Sequence, residues 1–387
     1  MPGTNELHAI AERHDADDPL AGWRDEFHVA DPDLAYLDGN SLGMPPKRTF
    51  DRVERLLRDE WGSGLIRSWD HWLDMPQRVG DQLAPLIGAA PGEVAVHDST
   101  TVNLYQIIRT ALRLRPDRSV IAIDPGDFPT DRYVVDSIAA ADDLTVRAGF
   151  DRLDDVAVAV RSMIDYRTAE ITDIVAETAR ATADGALVVW DLSHAAGLHP
   201  VDLNAAGAQL AVGCTYKFLN GGPGAPAFTY VAADLIEQLD EPFHGWFAQT
   251  DQFAMGARFR PRDDIGRMLV GTPGMLGLVA AQCGIEVTAE AGIDAIRAKS
   301  IALGRFGLEC CDALGLATST PRIDDRRGGH LCVNHPDAKR LTTRLAAERK
   351  VLADFREPDV IRLGCSPLTT RFSDVARAAL AIAALSG

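Results

Sequence analysis

Lys217 and Asp191 are the two residues whose types and spacing best suit shared chemistry. Asp191 follows the apolar run ALVVW at 186–190. It therefore stands at the C-terminal end of an expected buried strand, the edge where α/β sheets place their ligands. His194 follows three residues later, and Lys217 comes twenty-six residues after Asp191, between Tyr216 and a Gly-rich turn. A partly desolvated lysine amine has a lowered pKa and becomes a nucleophile suited to Schiff-base chemistry. The acid suits a pyridinium nitrogen, and the two together are what a pyridoxal phosphate enzyme needs. Singly, each also fits a surface lysine or a helix-capping acid. The pair with its glycine turn favours the chemical reading.

Other stretches supply what such a site requires. In DSTTVNLY at 98–105, Ser99, Thr100 and Thr101 put hydroxyls and free N–H groups at a helix N-terminus. That is an anion site as well as a plain cap. Phe128 opens FPTD, expected in a loop after a strand, where an aromatic can stack on a flat ring or fill a turn. The run Gly221-Gly222-Pro223-Gly224 lacks GxGxxG spacing and reads as turn geometry behind Lys217. Arg362, at the end of an expected strand, can clamp a carboxylate bidentately or sit on the surface. Trp61, Trp69 and Trp72 fit core packing as well as a pocket. His97, His199 and His244 show no metal spacing, and the six cysteines form no CxxC pair, so no metal site is expected.

The elements that must position these residues follow from hydrophobic patterning. Residues 1–45 read as loop-rich. Pro45 and Pro46 open a helix through Glu60, and a second helix fits Pro76–Gly88. Buried strands are expected at 120–123, 144–148, 156–160, 186–190, 210–212 and 227–231, with amphipathic helices such as 171–183 between them. This alternation predicts an α/β fold with a mainly parallel sheet covered on both faces. After Gly284 the texture changes to a long helix at 292–314, strands near 330–333, 351–355 and 360–363, and helices near 337–348 and 373–385. That reads as a smaller α+β domain.

Length and charge narrow the functions. A chain of 387 residues suggests about two to three domains. Its 39 basic and 56 acidic residues give a net charge of −17, which repels phosphate backbones, so nucleic acid is not an expected partner. Mean hydropathy is −0.06, and no apolar run is long enough to span a membrane. The N-terminus is polar and acidic, without a secretory pattern. The scattered cysteines then read as reduced thiols of a cytoplasmic protein.

The segments DGNSLG (38–43), STTVNLY (99–105), FPTD (128–131), DLSHAAG (191–197), TYKFLNGGPG (215–224), GWF (245–247) and GTPGMLGL (271–278) occur in this order. The chain resembles the kynureninases, fold-type I pyridoxal phosphate enzymes of the class V aminotransferase superfamily, from about Tyr36 to its C-terminus. The resemblance implies an N-terminal segment 1–45 packing on the small domain, a large cofactor-binding domain 46–284 and a small domain 285–387. It implies that Lys217 anchors the cofactor and that Asp191 pairs with the pyridine nitrogen, with His194 beside it. Phe128 stacks on the ring, with Thr130 and Asp131 of its segment among the cofactor contacts. Thr100, Thr101 and Tyr216 hold the phosphate end, and Ser162 supplies a further hydroxyl. Trp246 and Thr272 reach the cofactor from the partner subunit of a homodimer. Asn40, Ser41, Trp69 and Arg362 form the substrate pocket, with Arg362 on the α-carboxylate.

The activity so implied is hydrolysis of L-kynurenine to anthranilate and L-alanine. Lys217 removes the α-proton, and Tyr216 transfers protons in later steps. Met163 and Ala169 depart from the His and Gly of many bacterial members. Animal members preferring the 3-hydroxylated substrate carry His and Asn where this chain has Trp69 and Thr272, so the pair resembles the bacterial type. Two alternatives stay open: a relative acting on a substituted kynurenine in secondary metabolism, and a cysteine desulfurase-like lyase. A desulfurase needs a mobile acceptor cysteine, whereas Cys332 and Cys365 fall on expected strands. A non-enzymatic binding protein is disfavoured by the intact Lys217, Asp191 and Arg362.

Overall fold

The computed structural model of the chain describes residues 4–386. Residues 1–3 and 387, the outer ends of the first and last expected segments, lie outside it. The N-terminal segment is less loop-like than expected, because Thr4–Ala16 is a helix. Its apolar stripe is narrow, Leu7 and Ala11 with Ile10 alongside, and it packs into one cluster with the helix Phe372–Ser386. Strand β1 (Ala35–Tyr36) then pairs in parallel with Val351–Leu352. The expected helix through Glu60 is regular only over Lys47–Arg55 and widens to a π-helix over Leu56–Gly64. The widened end is held by Ser68 Oγ, which donates to the Glu60 carbonyl at 2.6 Å.

The central sheet contains β2 (Val94–His97), β3 (Val120–Ile123), β4 (Thr145–Ala148), β5 (Val156–Ser162), β6 (Leu187–Asp191), β7 (Leu210–Gly213) and β8 (Ala227–Val231). Its order is β2-β8-β7-β6-β5-β3-β4. Strands β3 to β7 run parallel to one another, and β8 is antiparallel to both β2 and β7. The inner strands are short continuous apolar runs because both of their faces are covered, each by its own hydrophobic cluster. β4 departs from the expectation of a buried strand: it is the outermost strand and is largely exposed.

The helix Met275–Ala291 continues past the expected boundary at 284/285, and the chain turns at Gly292 (φ +82°) into the helix Ile293–Leu314. Beyond it, β9 (His330–Asn334), β10 (Val351–Leu352), β11 (Asp354–Arg356) and β12 (Val360–Gly364) follow, and β11, β12 and β9 form an antiparallel sheet in that order. This sheet and its helices share a separate core. Among the described residues no single helix is long and apolar enough to cross a membrane; Met275–Ala291 and Ile293–Leu314 are so only as a pair, bent by 82°.

Candidate active site

Parallel strands end on one edge of the sheet, and their residues converge there. Ser162 ends β5 and Asp191 ends β6, paired in register. β7 leads into the turn that carries Tyr216 and Lys217. Two glycines fix that turn by close approach. A Cβ on Gly43 would stand 2.3 Å from the Lys217 carbonyl, and one on Gly284 would stand 1.9 Å from the Leu219 carbonyl. Gly43 N–H also donates to the Tyr216 carbonyl at 2.8 Å, which ties DGNSLG to the lysine loop. Gly222 and Gly224 adopt positive φ, as a tight turn behind Lys217 requires.

FPTD is not a loop. Phe128 is the N-cap of the helix Pro129–Asp142, and Pro129, Thr130 and Asp131 form its first turn, where a proline loses no hydrogen bond. Thr100 and Thr101 begin the helix Thr100–Arg113, capped by Ser99, whose Oγ accepts from the Val102 N–H at 3.4 Å. Thr100, Thr101, Phe128, Thr130, Asp131, Ser162, Asp191, His194, Tyr216 and Lys217 all line one cavity of about 80 Å³.

The charges in this cavity are paired and tuned by burial. Asp191 Oδ1 accepts from the Ser193 N–H at 2.9 Å and the Ser193 hydroxyl at 2.6 Å. Asp131 is buried beside it; desolvation first, then the Asp191 charge, push its carboxyl well above the usual range, so it keeps its proton. Burial also raises Asp127, to about 7. Lys217 Nζ lies 3.1 Å from His194 Nε2. Burial and then the Lys217 charge hold His194 well below the usual imidazole range, so the ring is neutral and Nε2 accepts from the lysine. Burial raises the Tyr216 phenol, which stays protonated and able to donate. Lys217 Nζ lies 5.8 Å from the Phe128 ring centre and 5.9 Å from that of Tyr216.

Three buried polar atoms here have no partner among the described residues: Thr100 Oγ1, Asp131 Oδ2 and His194 Nδ1. Buried groups left so call for a ligand. A hydroxyl at a helix N-terminus, an acid at a strand end, an aromatic face and a lysine form the donor set that pyridoxal phosphate takes.

A second cluster adjoins the first. Arg362 is only 1% exposed. Its Nε donates to Asp354 Oδ1 at 2.9 Å, its Nη1 to the Tyr166 carbonyl at 2.7 Å and its Nη2 to Ser41 Oγ at 3.1 Å. With its amide oxygen turned to the guanidinium, Asn40 accepts from Arg362 Nε at 2.7 Å. Asn40, Ser41 and Arg362 are thus together. Burial and then Asp354 raise neighbouring Asp38 to about 6.

Trp69, Trp246 and Thr272 do not join the cavity within one chain. Trp69 packs edge-on against Trp72 at 5.4 Å and lines an apolar recess with Trp61, Leu65, Ile66, Gly274 and Leu276. Trp246 is 44% exposed and its indole donates to the Gln252 carbonyl at 3.0 Å. Thr272 is exposed as well. Tyr166 and Ser193, not singled out in the sequence, line the cavity. Ser193 lies inside DLSH, and its place between Asp191 and His194 was the available signal.

The C-terminal part of the chain, residues 296–382, matches the family model described as the kynureninase C-terminal domain. A kynureninase of Pseudomonas fluorescens is 40% identical over 383 residues, covering 93% of this chain and 91% of that one. Among solved structures, the apo cysteine desulfurase of Thermococcus onnurineus NA1 superposes with a TM-score of 0.80 at 15% identity, covering 97% and 98% of the two chains. A variant of C-DES with glycine covalently linked to its PLP cofactor superposes with a TM-score of 0.76 at 16% identity, covering 90% and 97%. Both structural likenesses show the fold-type I architecture.

Proposed function

The chain belongs to the kynureninase family, and from that premise we propose that it is a pyridoxal phosphate enzyme that hydrolyses L-kynurenine to anthranilate and L-alanine. The observation that carries this reading is the convergence of Lys217, His194 and Asp191 in one cavity, with the Arg362 cluster beside it. Pyridoxal phosphate, when bound, supplies the electron sink that cleavage of a C–C bond beside a ketone requires.

The chain's own residues divide the remaining work. Lys217 would anchor the cofactor, and its amine is the base for the α-proton of the substrate. His194, kept neutral, accepts a hydrogen bond from the Lys217 amine and so orients it. Asp191, fixed by Ser193, would keep a proton on the ring nitrogen of the cofactor, and Phe128 would supply an aromatic face for the ring. Thr100, Thr101 and Tyr216 take the phosphate end, with Thr130, Asp131 and Ser162 lining the ring. Tyr216, kept protonated by burial, is the donor for the proton that the alanine β-carbon takes up when the C–C bond is cut and water's hydroxyl goes to the anthranilate carboxyl carbon. Arg362, with Asn40 and Ser41, takes the amino-acid carboxylate.

We read the active form as a cytoplasmic homodimer with shared sites. Trp61, Leu65, Ile66 and Leu276 line an outer apolar recess and are 47–78% exposed, and Trp246 and Thr272 are exposed as well. An apolar face of this kind suits a second copy bringing Trp246 and Thr272 to its partner's cavity. All six cysteines are free and buried, which favours hydrolysis over sulfur transfer despite the desulfurase-like fold. The test is product chromatography after supplying L-kynurenine and 3-hydroxy-L-kynurenine separately. Equimolar anthranilate and L-alanine from L-kynurenine support the reading, and turnover of neither substrate by cofactor-loaded protein rejects it.

A further inference from the structure

His330 opens β9 and is 2% exposed, yet neither of its ring nitrogens has a hydrogen-bond partner among the described residues. Buried imidazole nitrogens are seldom left so. Its place in the small sheet is informative. His330 pairs with Gly364 and Cys332 pairs with Arg362, so His330 and Arg362 share one face of the sheet, offset by two residues. Gly364 adds no side chain to that face; a Cβ there would lie 1.8 Å from the Asn40 amide. That face therefore carries Asp354, Arg362, Cys332 and His330, with Asn40 against it at Gly364.

The other side of His330 looks toward the lysine. Its ring centre is 5.6 Å from that of His194, which contacts Lys217 Nζ. The Tyr166 carbonyl, which accepts from Arg362 Nη1, faces the ring without closing a hydrogen bond. Burial first, then the charges of Arg362 and Lys217, hold the imidazole well below its usual range. His330 is thus a neutral ring with one N–H to donate, set between the amine anchor and the carboxylate arginine.

We infer that His330 is a second donor to the α-carboxylate of the amino-acid substrate, beside Arg362; the inference rests on the reading that Arg362 receives that carboxylate. A carboxylate offers two oxygens and about four lone-pair sites, more than one guanidinium edge fills. Asp354 and Ser41 already take N–H groups of Arg362. A neighbouring N–H donor supplies what the arginine does not, and the substrate in turn satisfies a ring that the protein leaves unpartnered.

The test uses cofactor-loaded His330→Phe, which keeps ring volume, and His330→Gln, which keeps an N–H donor. Three quantities are read: KM and kcat for L-kynurenine, the calorimetric Kd of L-alanine, and the Kd of kynuramine, which lacks the α-carboxylate. In His330→Phe, KM and the L-alanine Kd should rise about ten- to hundredfold, the loss expected for one hydrogen bond to a charged group. The change in kcat should be smaller and kynuramine binding should hold. His330→Gln should stay within about threefold of the parent. If His330→Phe does not fold, His330→Met takes its place. Unchanged L-alanine affinity in the donor-free variant overturns the inference, as does an equal loss for kynuramine. If the parent protein binds L-alanine through His330 but turns over no kynurenine, the substrate assignment fails and the role of His330 stands.

Discussion

Lys217 Nζ and His194 Nε2 lie 3.1 Å apart, although the two residues leave the sheet from different strands, β7 and β6. Adjacent parallel strands bring their C-terminal loops together, so a nucleophile and its acceptor meet without sequence proximity. The contact predicts a covalent role for the lysine. Purified protein should be yellow, and borohydride should fix the cofactor to Lys217. Lys217→Ala should lose that adduct and at least about 1,000-fold in kcat. Mass spectrometry of the reduced protein checks the site; an adduct on another lysine refutes the assignment.

The separation of Trp246 from the cavity within one chain predicts complementation. Lys217→Ala and Trp246→Ala subunits, each inactive alone, should regain up to about one quarter of parental activity when mixed and exchanged. A random mixture makes half of the dimers hybrid, each with one intact site of two. Activity measured after exchange verified by mass-tagged subunits decides it, and no recovery removes the shared-site reading.

Much of this architecture can be read from the residues. β3 and β8 fall on the expected runs, and Asp191 and Lys217 stand out because a polar residue after a buried strand has few structural reasons to be there. What escaped depends on pairing. The exposure of β4 follows from its place at the sheet edge, which its own apolar pattern does not encode. The helix Thr4–Ala16 is held by a narrow stripe against a helix more than 350 residues away. The position of His330 beside Arg362 exists only in the β9–β12 register.

Ala169 carries a strain that chemistry in the sequence only hints at. It is buried with φ +65°, a backbone conformation that favours Gly. An L-residue with a Cβ pays about 1–2 kcal/mol in that region. Ala169→Gly should stabilise the protein by about 0.5–1 kcal/mol, after the flexibility that glycine adds to the unfolded chain. Urea unfolding of the two proteins measures it. A destabilised glycine variant would mean that packing of the methyl outweighs the backbone strain.

Asp127 gives a pH dependence with a fixed sign. Its Oδ1 accepts from the Ser162 N–H at 3.2 Å, while its Oδ2 has no partner among the described residues, and burial raises its pKa to about 7. The folded protein therefore holds this proton where the unfolded chain has lost it, between about pH 4 and pH 7. Stability is lost as pH rises through that window and stays lower above it. Asp127→Asn should be more stable than the parent at about pH 8, by on the order of 1–3 kcal/mol, and equal to it near pH 4. Denaturant melts at the two pH values test this; a gain that is the same at both would assign it to packing and not to titration.

Substrate choice should follow Trp69 and Thr272, which reach the aniline ring only if a second subunit completes the pocket. An indole packs well on an unsubstituted ring but offers a 3-hydroxyl no partner facing its apolar surface. A buried hydroxyl left unpaired costs about 1–3 kcal/mol, or roughly 5- to 150-fold in selectivity. The parent enzyme should therefore show the higher kcat/KM for L-kynurenine. Trp69→His with Thr272→Asn places two hydrogen-bonding side chains there and should narrow or reverse the ratio. Kinetics of both proteins on both substrates decide the matter. A parent enzyme that prefers the hydroxylated substrate would exclude these two residues as the determinants. The departures at Met163 and Ala169 would then be the next to exchange, since both are buried in the segment that follows Ser162 and carries Tyr166 to the cavity wall.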